Sequence, residues 1–198
     1  MNNGRTPLQL AALSGAPECV AVLLDHGVAV DALDPDGKSA LWLAAANGDP
    51  ECVALLLDEG AMTEKTDFKG RSAVYVAAAH GHVQVLSLLA AHKEGTLDTR
   101  DHHGRTPLHA AAANGHAQCC LFLMQHGSNA HAGDEKGRSA LHSAAYAGQT
   151  LCGITIIRMG GSADMLDNQD RTPVTAAVSS GFRECARSFE EEARRVVV

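Results

Sequence analysis

The sequence predicts an all-α solenoid of stacked helix–turn–helix units joined by short β-hairpin or loop fingers. Three observations carry this. A motif clearest in Gly104-Arg105-Thr106-Pro107-Leu108-His109-Ala110-Ala111-Ala112-Ala113-Asn114-Gly115-His116 is written six times with variations, beginning at Gly4, Gly37, Gly70, Gly104, Gly137 and Asp170. Its step is 33 residues everywhere except from Gly70 to Gly104, where it is 34, and a fixed period in that range marks a stacked array. Aromatic residues make up only 4% of the chain while Ala and Leu abound, a composition that suits thin, closely packed helices and argues against a large ring-lined pocket.

Each unit reads as a loop, a helix, a turn, a second helix and an extended connector. In the first, Thr6 is a fitting N-cap and Pro7 a fitting first helical residue, since proline lacks only an N–H that would be unpaired there. Leu8, Leu10, Ala11 and Ala12 give its buried stripe and Gly15 ends it; the second helix runs from Pro17 through Cys19, Val20, Leu23 and Leu24 to Gly27. The second unit substitutes Ser39-Ala40 for Thr-Pro and places its helices over Leu41 to Gly48 and Pro50 to Gly60. The third runs Ser72 to Gly81 and Val83 to about Ala91, and its extra residue, within Ala90-Ala91-His92-Lys93-Glu94 before Gly95, is expected to bulge on the outer side without breaking the stack. The fifth carries Gly153 and several β-branched residues inside Thr150–Ile157; glycine costs about 1 kcal/mol against alanine there, and a small residue that lets the next helix approach accounts for it better than a hinge. The sixth, from Asp167, ends in a strongly charged helix after Phe182 that reads as a cap with a wetted outer face. The first loop is clipped to Met1-Asn2-Asn3, which suggests a fragment of a longer array.

Thr-Pro-Leu-His opening the first helix, Ala-Ala within it, Gly or Gly-His between helices, and Gly-Ala or a relative before the hairpin together resemble the ankyrin repeat. The resemblance covers essentially the whole chain as one domain, 1–198, with repeats of approximately 1–33, 34–66, 67–100, 101–133, 134–166 and 167–198. It implies that His109 and His142 are hydrogen-bonding struts of the turn, that the residue after each loop glycine lies at the root of a finger facing a concave groove, and that the chain acts as a protein–protein interaction scaffold.

Composition narrows the function further. A net charge of −7 and a pI near 5.8 disfavour nucleic acid, and no apolar run approaches bilayer length. Cys19, Cys52, Cys119, Cys152 and Cys185 share one column of the repeat, with Val85 in the third and Cys120 following Cys119. That column is expected to face the core as small hydrophobes. Equivalent helices lie about 8–10 Å apart, beyond the roughly 7 Å a disulfide tolerates, so reduced thiols in a cytoplasmic or nuclear, reducing compartment are expected. The repeat also absorbs most of the histidines: His82 and His116 follow the mid-repeat glycine, and His26 and His126 precede the next one. Zinc needs about four convergent ligands, which His80, His92, His102, His103 and His131 do not promise. Asp164, Asp167, Asn168 and Asp170 lack the alternation and closing Glu of a calcium loop. With no nucleophile elbow, phosphate loop or dinucleotide fingerprint, the sequence offers no catalytic residue, no metal site and no cofactor.

Two features are candidate binding sites. One is the basic column Arg5, Lys38, Arg71, Arg105, Arg138 and Arg171, suited to acidic groups on an extended partner, although Asp34, Asp67, Asp101 and Asp134 stand near enough to neutralise it. The other is aromatic and apolar: Trp42 and Tyr75 replace histidine in the strut column, and Leu13 and Tyr146 occupy neighbouring groove-facing positions, together forming a stripe with interface-type anchors. Trp42 and Tyr75 equally suit a space-filling role between repeats. Phe68, His102 and His103 are finger candidates, Phe68 at a hairpin tip being either a contact residue or packed on the next finger. The expected partner is another protein or an extended peptide, acidic peptides included, on the concave face, with no membrane insertion and with self-association through the first repeat as a second route of assembly. The alternative is that these repeats form a substrate-recruiting or regulatory arm of a larger enzyme, of acyltransferase, kinase or ubiquitin-ligase type.

Overall fold

The computed structural model describes residues 4–92 and 97–196. Among these, twelve helices form six pairs: α1 (Pro7–Leu13) and α2 (Pro17–Asp25), α3 (Ala40–Asn47) and α4 (Pro50–Asp58), α5 (Ala73–His80) and α6 (Val83–His92), α7 (Pro107–Asn114) and α8 (Ala117–Gln125), α9 (Ala140–Tyr146) and α10 (Thr150–Arg158), α11 (Pro173–Ser179) and α12 (Arg183–Val196). Odd-numbered helices pack side by side in an inner row and even-numbered ones in an outer row, each touching chiefly its own partner and its neighbours along the row. The result is an all-α repeat solenoid with the core running as a strip between the rows. A single isolated bridge, Thr66 to Ser72, is the only β-pairing among the described residues, so the fingers are loops.

The inner helices start where the sequence places a cap. The Ser39 hydroxyl accepts from Trp42 N–H at 3.2 Å, Ser72 from Tyr75 at 3.2 Å and Thr172 from Thr175 at 3.2 Å, each such cap stabilising by about 1 kcal/mol. Alanine pairs such as Ala44-Ala45, Ala77-Ala78 and Ala111-Ala112 are buried and keep the inner row thin. Leu41, Leu56, Leu86, Leu108, Leu123 and Leu141 fill the strip and are almost wholly excluded from water, each contributing about 1.5–3 kcal/mol by burial. In α1 one expectation fails: Leu10 is only half-buried, whereas Gln9 is buried, for a reason given below.

The cysteine column faces the preceding repeat. Cys52, Cys119, Cys152 and Cys185 are buried, but Cys19 is exposed because no described repeat lies against that side of α2. Cys120 also belongs to the core: its thiol lies against Cys152 of the next outer helix, and this contact together with burial pushes it up into the neutral form. Gly153 has the role of a small residue under a close approach. A Cβ there would run into the ring of Phe189 from α12, which is fully buried. In the third repeat α6 has 10 residues against 9 in α4 and α8; Lys93, Glu94 and Gly95 of the expected bulge lie outside the described residues, as do Met1, Asn2 and Asn3. The charged α12 keeps one acid inside: Glu192 is buried and accepts from Arg158 Nε of α10 at 2.7 Å.

Candidate functional site

The five fingers from the second repeat onward are each built on an aspartate, Asp34, Asp67, Asp101, Asp134 and Asp167. In the fourth repeat Asp101 Oδ1 accepts the backbone N–H groups of His103 and Arg105, both at 2.9 Å, while its own N–H donates to Arg105 C=O at 2.9 Å. Its Oδ2 takes Arg105 Nε at 2.8 Å and Nη2 at 2.6 Å, and the Tyr75 hydroxyl at 3.1 Å. Asp67, Asp134 and Asp167 do the same for Arg71, Arg138 and Arg171. Asp34 closes the second finger identically on the backbone of Asp36 and Lys38, but its side-chain partner is Arg5 of the preceding finger at 3.0 Å. Lys38 turns instead to Asp36 at 2.8 Å. Burial opposes ionisation of Asp67, Asp101 and Asp134, yet the guanidinium and the backbone donors outweigh it and hold all three carboxyls below the usual range. The basic column is thus paired throughout; at Arg5, Arg71, Arg105, Arg138 and Arg171 the carboxylate lies at depth and the guanidinium outward, while in the Lys38–Asp36 pair the carboxylate is the exposed partner.

The fingers are also tied to each other. Phe68 N–H donates to Asp36 C=O, His102 to Lys69, Glu135 to His103 and Asn168 to Lys136, all within 2.9–3.0 Å. This close approach is why glycine precedes the basic residue. At Gly104 φ is +73°, and a Cβ would stand 3.1 Å from the nitrogen of Glu135 in the next finger. Asp170 takes the same left-handed conformation, φ 55°, with no further finger described beyond it.

The strut column explains Gln9. His109 Nε2 donates to Arg138 C=O at 2.8 Å and His142 Nε2 to Arg171 C=O at 2.9 Å. Because a carbonyl only accepts and Nδ1 of each ring accepts a backbone N–H, from Thr106 and Ser139 at 3.2 Å, both rings are neutral Nε2–H tautomers. Desolvation lowers both pKa values in keeping with that form. Gln9 plays the same part, its Oε1 accepting Thr6 N–H at 2.9 Å and its Nε2 donating to Lys38 C=O at 3.1 Å and Ala32 C=O at 2.8 Å. So does Trp42, whose Nε1 donates to Arg71 C=O at 3.0 Å.

Trp42 and Tyr75 are 7% and 5% exposed, in keeping with the space-filling role: both side chains enter the seam between repeats, and the Tyr75 phenol is pushed up to about 12 by burial, with the adjacent Asp101 adding to the rise. Lys38 lies 5.1 Å from the Trp42 ring centre and Arg71 5.5 Å, closing the remaining edge. Tyr146 differs. Half-buried, it carries Arg138 at 5.7 Å and Arg171 at 5.3 Å from its ring centre, and its hydroxyl donates to Asp167 at 3.3 Å. Phe68 is 67% exposed although its ring covers Gly37. His102 is exposed, as is His103, whose Nδ1 lies 3.7 Å from Glu135, and Leu13 is exposed at the end of α1.

A depression of about 430 Å³ gathers part of this set. Arg71, Arg105 and Arg138 form its finger side, and Ala79, Ala110 and Ala113 lie on its helical side with Tyr75 and Tyr146 at either end. Asn114 and Ser143, which the motif reading passed over, also line it; their signal is that they break an otherwise alanine-rich inner face. Among the described residues no three or more His, Cys, Asp or Glu side chains converge as a metal site, and no helix is long and apolar enough to cross a membrane.

The ankyrin-repeat family model matches residues 1–67 and 59–134. Among solved structures, the ankyrin repeat domain of Bcl-3, described as a unique member of the IkappaB protein family, superposes with a TM-score of 0.80 at 31% identity, covering 94% of this chain and 83% of that one. The human ASB11 ankyrin repeat domain gives 0.85 at 23% identity, covering 95% and 84%, a likeness of fold. No curated protein sequence matches the chain. Ankyrin repeats are as a class modules for binding other proteins, and by motif, strut geometry and family match this chain belongs to the ankyrin-repeat family.

Proposed function

We propose that the chain is an interaction module that holds an extended segment of a partner protein along the inner face, between the fingers and α5, α7 and α9. The observation that supports this reading best is the contiguous strip made by Arg71, Arg105 and Arg138 over small side chains, with Tyr146 half-open at one end. A pre-ordered wall of this kind adds no receptor folding cost on binding, and Tyr with Arg is the pairing that dominates interface energetics. The exposed finger residues Phe68, His102 and His103 extend the strip along its rim. The same surface serves whether the module acts alone or recruits substrates for a larger enzyme.

The test is selection of short random peptides displayed against the purified chain, followed by calorimetric titration. Selected peptides are expected to bind the wild type and to lose about tenfold or more in affinity to Ala113→Gln, which fills the helical side of the depression while leaving the fold intact by circular dichroism. Peptides that bind Ala113→Gln as well as the wild type would move the site elsewhere.

A further inference from the structure

The depression between α5, α7 and α9 is chemically lopsided in a way that names its occupant. Its lining includes three arginines and no aspartate or glutamate. The balancing carboxylates lie beneath: the side chains of Asp67, Asp101 and Asp134 are 1–2% exposed, whereas those of Arg71, Arg105 and Arg138 are 28%, 40% and 28% exposed. A group entering from solvent therefore meets cations first. Each guanidinium spends Nε and Nη2 on its own aspartate. Among the described residues no acceptor engages Nη1 of any of the three, and guanidinium has five N–H donors in a rigid fork.

We infer that this depression receives one aspartate or glutamate side chain of the bound peptide, held by the free edges of Arg71, Arg105 and Arg138. The inference rests on the reading that the inner face holds a peptide. Charge sets the stoichiometry. Three arginines over three aspartates are locally neutral, so one carboxylate leaves an excess of one negative charge and a dianionic phosphate an excess of two, and the smaller imbalance favours the single acid. The whole-chain charge of −7 repels a polyacidic run, so the acid stands singly among neutral residues. Continuity sets the source. The lining spans three repeats, from Ala79 in the third to Tyr146 in the fifth, long enough for a chain to lie along it and present a side chain rather than its C-terminal carboxylate. Arg105, central and the most exposed of the three, is the principal contact.

The experiment uses the displayed peptides of the previous section. Peptides blocked by Ala113→Gln are expected to share one Asp or Glu at a fixed register. Changing that acid to its amide is expected to weaken binding about tenfold or more, as for a charge-assisted hydrogen bond. Arg105→Gln is expected to weaken the acidic peptide similarly and the amide peptide hardly at all, a double-mutant coupling that a merely structural Arg105 does not give. Because Arg105→Gln removes the partner of buried Asp101, Arg105→Lys provides the folded control, and the peptide substitution needs no protein variant. Peptides blocked by Ala113→Gln but indifferent to the acid-to-amide change would overturn the carboxylate and leave inner-face binding standing. Loss of binding on C-terminal amidation would overturn the side-chain source, and tighter binding of a phosphoserine at the same position would overturn the single charge. Failure to find any peptide sensitive to Ala113→Gln would overturn both readings.

Discussion

Trp42 and Tyr146 are both aromatic residues of inner helices, and each lies beneath two cations of the same basic column, Lys38 and Arg71 for the first and Arg138 and Arg171 for the second. One is sealed and the other is half-open. The difference is their place on the helix. Trp42 is three residues after its cap and enters the seam, where its ring N–H reaches the carbonyl of Arg71; Tyr146 is seven residues after its cap, near the end of α9, and faces the groove. Helical position, more than ring chemistry, decides which aromatic holds the stack and which is available to a partner.

The largest effect expected from this comparison is on stability. Trp42→Ala should lower the denaturant-unfolding free energy by about 3–5 kcal/mol through lost burial and a lost strut, and Tyr146→Ala by about 1–2 kcal/mol; equal losses would break the comparison. Next come the finger keystones. Asp101→Asn keeps one acceptor for the backbone but surrenders the charge under Arg105, a loss expected near 2 kcal/mol by the same measurement. The third prediction uses Gln9 as a guide. Since Gln9 already serves as a strut, His109→Gln should stay within about 1 kcal/mol of wild type while His109→Leu, which strands the Arg138 carbonyl, should cost about 2–3 kcal/mol.

The smallest expected effect is a dependence on pH. Burial lowers the pKa of His109 and His142 below the value of about 6.5 for an unfolded chain. The unfolded state then takes up protons first, so the contribution of these rings is complete above about pH 6.5 and declines as the pH falls through their folded values. The melting temperature should drop on acidification from about pH 7 to about pH 5, and by less in the His109→Gln/His142→Gln double variant. A second decline below about pH 4 should follow from the finger aspartates, whose depressed pKa values place their contribution above that point.

The period, the caps and the glycine turns were legible in the sequence because every copy meets the same surroundings, so each residue type recurs at its own offset. The struts were only half legible. Gln9, Trp42, His109 and His142 each donate to a carbonyl 29 residues ahead, yet three side-chain types share the task, and only the histidines carry it visibly. What they have in common is an N–H at matching reach, which residue names conceal. The groove was harder still to read. A column of arginines looks free until the aspartate four residues earlier is seen closing the loop beneath it, and Cys19 looks as buried as its counterparts although no described repeat packs against that side of α2.

Pro35 occupies the position that in each later finger donates an N–H backward, and proline has none to give. The four later loops are latched to one another and to Asp36, while among the described residues Gly4 lies against the Pro35 ring and Arg5 pairs with Asp34. From Asp36 onward the comb of fingers is therefore stiff. A partner gripping the stiff part meets a single unit whose tips shift together, so register along the bound segment is enforced by the receptor's backbone rather than chosen contact by contact.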